Sequence, residues 1–260
     1  MLHAKLSNRS VFLLLMFASL YSQAQLGTLW QKAKEKTEKA VNKVMPKKNS
    51  TQAVEAEASA PFIPGNMPLF SEDFSGYTAG ATVSTIKSNG LAAVTGLKGH
   101  SGKWMPIEDK AVYKLTKAIP YPEHFTVTFD LLATGDQIKD IAPLSFGFAS
   151  DNSTKEYTSN SGAYVELQYY DANMVNTGSK NPEKFANNTF DLEPYLNTVM
   201  HINLEVNGQR MIVYLGNRKI ADGIFFAPSA GKNFYISAPW QYSNGAKVFL
   251  SNIKIAGFNQ

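Results

Sequence analysis

The chain has 260 residues, 44% of them apolar, a formal charge of +4 and no cysteine, so a disulfide framework, a thiolate metal site and a cysteine-linked lipid are excluded. The charge is unevenly spread: Lys5 and Arg9 lie in residues 1–24, seven lysines face Glu35 and Glu38 in residues 25–48, and the rest holds 16 basic and 19 acidic residues. A mildly acidic body argues against nucleic-acid binding, which needs a basic face for phosphate.

In chain order, Lys5 and Arg9 precede an apolar run over residues 11–20, and Ser22 and Ala24 then form a small-residue cleavage site before Gln25. These parts in this order read as a secretory signal peptide over residues 1–24. The apolar run is shorter than the roughly 20 residues a membrane-spanning helix needs. The protein is therefore expected to be exported, to the periplasm, to the outer membrane or beyond the cell.

Residues 25–46 are predicted to form a short basic amphipathic helix. Leu26, Trp30, Ala33, Thr37, Ala40 and Val44 recur at spacings of three and four, Glu35 stands four residues before Lys39, and Pro46 ends the pattern. Ala and Thr make the stripe thin. Over residues 26–45 it suits self-association, an anionic membrane surface or a partly helical spacer. Residues 47–68 carry three prolines and no apolar period, and read as a linker.

Residues 69–260 are predicted to be an all-β body, long enough to bury roughly 70% of its unfolded surface. Phe125, Val127, Phe129 and Leu131 alternate with polar neighbours, as do Leu144, Phe146 and Phe148, Val165, Leu167 and Tyr169, Ile202, Leu204 and Val206, and Phe234 and Ile236. That period of two marks half-buried strands, and Phe129, Phe146, Leu167 and Leu204 are expected in one shared interior. Asn207-Gly208 and Gly216-Asn217 are hairpin signals. Residues 151–162 and 171–188 read as long polar loops, a length that goes with function or motion. A bulge is expected near Ser251-Asn252, where the alternation slips. The first strand, near Phe70, and the last, near Ile253, are expected side by side in a two-layer antiparallel sandwich.

Several segments carry a resemblance: Ser71-Glu72-Asp73-Phe74-Ser75-Gly76, Gly102-Lys103-Trp104, the run from Pro122 to Asp130, and Ser251-Asn252-Ile253-Lys254-Ile255. The body resembles the concanavalin A-like, or laminin-G-like, jelly-roll family. With the lysine-rich helix it is similar to a module that, in certain bacterial envelope proteins, precedes an outer-membrane-protein-A-type domain. The sequence stops at Gln260 before such a domain, so cell-wall anchoring is not carried over.

The resemblance implies a non-catalytic surface or envelope module that binds a saccharide or an envelope partner. Tyr164, Glu166, Gln168 and Tyr170 are expected on one strand face, with Trp240 and Tyr242 adding stacking surface and Trp104 either joining them or lying in the core. A glycan hydrolase using Glu166 and Glu205 is the alternative. Against it, the Glu-x-Asp-x-x-Glu strand of similar-fold glucanases and the Arg-x-Glu-Leu-Arg strand of similar-fold lyases are both absent. His100, His124 and His201 have no metal-ligand spacing. Calcium is common in the family, and Asp136, Asp140, Asp151 and Asn152 are the loop oxygens on offer, without diagnostic spacing.

Overall fold

The computed structural model describes residues 61–155 and 162–259. The signal peptide, the basic helix and most of the linker therefore lie outside the described residues. Two antiparallel sheets make up the fold, a jelly-roll sandwich, and no α-helix occurs among the described residues.

The eight-stranded sheet holds β1 (Met67–Glu72), β3 (Thr95–Leu97), β4 (His100–Ile107), β6 (His124–Thr134), β11 (Val199–Asn207), β12 (Arg210–Leu215), β13 (Arg218–Ile224) and β15 (Lys247–Gly257). Its order is β13-β12-β11-β6-β15-β4-β3, with β1 also on β15. The expected bulge is present: the register slips between Ser251 and Lys254, where Asn252 has φ 53°. It divides the free edge of β15, so that Val248–Leu250 pairs with β4 and residues 253–257 pair with β1. First and last strands are thus neighbours.

The seven-stranded sheet holds β2 (Ile86–Ser88), β5 (Val112–Leu115), β7 (Leu144–Ala149), β8 (Gly162–Leu167), β9 (Met174–Ser179), β10 (Lys184–Thr189) and β14 (Asn233–Ser237), in the order β10-β9-β8-β7-β14-β5-β2. Residues 171–188, expected as a loop, contain the β9–β10 hairpin. Its inward positions are Val175, Thr177 and Ser179 on β9, which are buried but mostly small and polar, so no apolar alternation announces the strand.

The interior forms where the two apolar faces meet. Phe129, Phe146, Leu167 and Leu204 are all at most 1% exposed. Phe129 of β6 meets Phe146 of β7 edge-on at 5.2 Å between centroids and Phe234 of β14 at 5.5 Å, while Phe125 meets Phe148 at 5.6 Å. These contacts join one sheet to the other, and each is in the edge-to-face or tilted range that aromatic quadrupoles favour. Trp104 is 3% exposed, edge-on to His100, and so belongs to the buried set instead of offering a stacking surface.

Residues 61–66 run onto the outer face of the eight-stranded sheet. Phe62 lies 5.6 Å from the Tyr214 ring, and the Gly65 N–H donates to Thr126 Oγ1 at 3.0 Å. A side chain at Gly65 would stand 2.5 Å from the Gly257 carbonyl, so glycine is required for this approach to β15.

Candidate functional site

Strand pairing sets residues from neighbouring strands side by side on the outer face of the seven-stranded sheet. One cross-strand row reads Lys114, Tyr235, Gly147, Tyr164, Gly178, Phe185, and the next reads Ser237, Ser145, Glu166, Asn176, Asn187. Directly opposed residues share a face, so each row is a line of neighbouring side chains.

At the β8–β10 edge of the first row, Tyr164 and Phe185 flank Gly178. A Cβ there would lie 2.6 Å from the Tyr164 hydroxyl, so the missing side chain leaves room for the tyrosine ring. Phe185 is 63% exposed, unusual for an aromatic side chain in a strand. Together with Lys180, Glu183 and Lys184 the two rings line a hollow of about 460 Å³. Burial, and secondarily the nearby Glu166 charge, push the Tyr164 phenol up, so its hydroxyl stays protonated as a donor at neutral pH.

In the second row Glu166 is held by three side chains. Ser145 Oγ donates to it at 3.4 Å, Asn176 Nδ2 at 3.0 Å, and Gln168 Nε2 makes a further short bond. Asn176 Oδ1 and Ser237 Oγ are buried and have no hydrogen-bond partner among the described residues. Buried polar atoms of this kind are commonly met by an internal water. Further along the sheet, Lys114 is 1% exposed, bonded to the Asp151 carbonyl at 2.7 Å and 3.6 Å from its carboxylate.

Of the residues expected at a site, Tyr164, Glu166 and Gln168 come together on this face. Strand β8 ends at Leu167, so the shared alternation stops short of Tyr170, which is 73% exposed in the turn beyond. Trp240 is 55% exposed after β14. Tyr242 donates its hydroxyl to the Ile107 carbonyl at 2.9 Å, an interaction that ties its loop to β4. Phe185, Asn176 and Gly178 are the residues that sequence reasoning missed. All three lie in the stretch read as a loop, and the lone aromatic at Phe185 amid polar residues was the one available signal.

The pairing of Glu166 with Glu205 is overturned. Glu166 alternates with buried Val165 and Leu167 in one sheet, Glu205 with buried Leu204 and Val206 in the other. Their side chains leave the shared interior in opposite directions across sheets that pack roughly 10 Å apart. A retaining pair needs carboxylates about 5–5.5 Å apart. Glu205 instead bonds His124 Nε2 at 2.9 Å. Of the loop oxygens, Asp151 faces the Lys114 ammonium, and Asp140 has one oxygen bonded to Asn244 and the other without a partner among the described residues. No three acidic or histidine side chains converge among the described residues.

No family model matches the chain, and no curated protein matches it in sequence. Solved structures share its fold at low identity. The lumenal domain of VIP36 in its Ca2+/Man2-bound form is 9% identical, with 73% of this chain and 88% of that domain covered and a TM-score of 0.53. The binding domain of botulinum neurotoxin serotype D is 12% identical, with 74% and 48% covered and a TM-score of 0.50. A sialidase matches at 17% identity and a TM-score of 0.49; this chain covers 73% of its own length and only 18% of the sialidase. For the first two, at these identities, the likeness is one of fold.

Proposed function

We propose that the protein is an exported, non-catalytic carbohydrate-binding module of a bacterial envelope, with its site at the β8–β10 edge of the seven-stranded sheet. The observation that carries this reading is the open cleft lined by Tyr164 and Phe185, beside a carboxylate held by Ser145, Gln168 and Asn176. An aromatic plane receives the C–H face of a sugar ring. Glu166, beside the hollow, accepts from its hydroxyls. The fold likeness to a lumenal domain solved with a mannose ligand supports the same reading. Residues 26–45 would hold the module to a membrane surface or to a second copy.

Glycan-array binding of the secreted chain tests the reading, with Phe185→Ala as the diagnostic variant. Phe185 is mostly exposed, so its removal should leave the melting temperature in place and weaken glycan binding by about tenfold or more, some 1.4 kcal/mol. Unchanged binding by that variant, or no glycan bound by the parent, would remove the site.

A further inference from the structure

We infer that the saccharide is an extended anionic polysaccharide, lying in a trench that leads from the Tyr164–Phe185 cleft around the end of the sandwich. This deepens the reading above and rests on it.

Three hollows adjoin through shared walls. Lys180 lines both the cleft, of about 460 Å³, and a second hollow of about 730 Å³ under residues 225–231. Pro228 and Ala230 line that second hollow and a third, of about 670 Å³, which reaches Glu123 and Lys232. Each alone is within the roughly 300–1,000 Å³ of a small-molecule site, and in succession they outsize any single sugar. A chain of sugars is the ligand shape that fills such a row.

The charge along the trench gives the ligand its sign. Lys184 Nζ sits 4.6 Å above the Phe225 ring and Lys232 Nζ 4.8 Å above Phe226, while Lys180 is exposed between the first two hollows. Ring faces hold an ammonium in place without neutralising it. With the described residues, none of these three ammonium groups forms an ion pair or hydrogen bond, so each keeps its charge open to a ligand. Burial pushes the Lys232 ammonium down, with Glu123 opposing from beyond contact distance. Glu123 and Glu183 line the trench too, and leave it one cation in excess even before Arg210, which is paired with Asp222. In a mildly acidic body, unpaired lysines along a trench that starts at the exposed Phe185 ring fit the carboxylates of a polyuronate, whose sugar faces stack at the cleft while its charges pair along the trench.

Calorimetry on the secreted chain tests this with polygalacturonate, alginate and hyaluronate, each against its carboxyl-reduced, neutral counterpart. At least one polyuronate should bind about tenfold tighter than its reduced form at low salt, an advantage that fades as salt rises. The double variant Lys180→Gln with Lys232→Gln should lose that preference for the charged form, its melting temperature confirming the fold. Phe185→Ala should weaken both polymers. Equal affinity for charged and reduced polymers, unchanged in the double variant, would overturn the anionic trench and leave the saccharide site standing. Binding of neither form would overturn both.

Discussion

Single residues decide turns and ion pairs here. Both strong hairpins place glycine first in the two-residue turn, as Gly208-Gln209 with φ 57° at Gly208 and Gly216-Asn217 with φ 56° at Gly216. Asn207 remains in β11, paired to Arg210, so the first turn sits one residue later than the Asn-Gly dipeptide suggests. At the far end of the β12–β13 hairpin, Arg210 Nε donates to Asp222 at 2.6 Å and its second nitrogen at 2.8 Å, holding that carboxyl below its usual range. A carboxyl depressed in the folded state adds stability above its unfolded value, near 3.8, and that contribution is lost as pH falls through the lower folded value. The pair is partly exposed, so screening keeps it small. Asp222→Asn should lower stability by about 0.5–1 kcal/mol at pH 7, and urea titrations of the two proteins should converge as pH falls below the depressed folded value.

Elements are joined through close backbone contact as much as through side chains. Gly147 on β7 is opposed to Tyr164 on β8, and a Cβ there would stand 2.2 Å from the Ala163 carbonyl. Gly147→Ala must push β7 and β8 apart beside the cleft. It should lower the urea midpoint by the equivalent of about 1–3 kcal/mol, at constant denaturant slope, and weaken glycan binding with it. Strands with apolar alternation, such as β6, β7, β8 and β11, were legible because one face of each is buried against the other sheet. The β9–β10 hairpin was not. Its inward positions on β9 are met by Thr177 and Ser179, whose hydroxyls bond Asn188 and the Pro182 carbonyl, so polar residues fill a buried face without an apolar signature. The candidate site inherited that gap: Tyr164 and Glu166 lie on a readable strand with Gln168 just past its end, Gly178 and Phe185 on an unreadable hairpin.

For the whole molecule, the described residues hold one continuous apolar interior, to which both sheets contribute and in which no disulfide takes part. Residues 61–260 alone should therefore unfold in one cooperative transition, followed by calorimetry, with a midpoint unmoved by reductant. Two transitions, or no folded product, would show that the sandwich depends on residues 1–60. Composition and periodicity were enough to determine the all-β class, the bulge at Asn252 and the shared interior of Phe129, Phe146, Leu167 and Leu204. Alternation is a local record of which face meets oil and which meets water, and it survives in the linear order of residues. Which polar faces meet each other is not so recorded. Tertiary structure alone sent Glu166 and Glu205 to opposite sides, buried Trp104, and set Phe185 and Tyr164 on either side of Gly178, because strand order and register join residues that the chain keeps far apart.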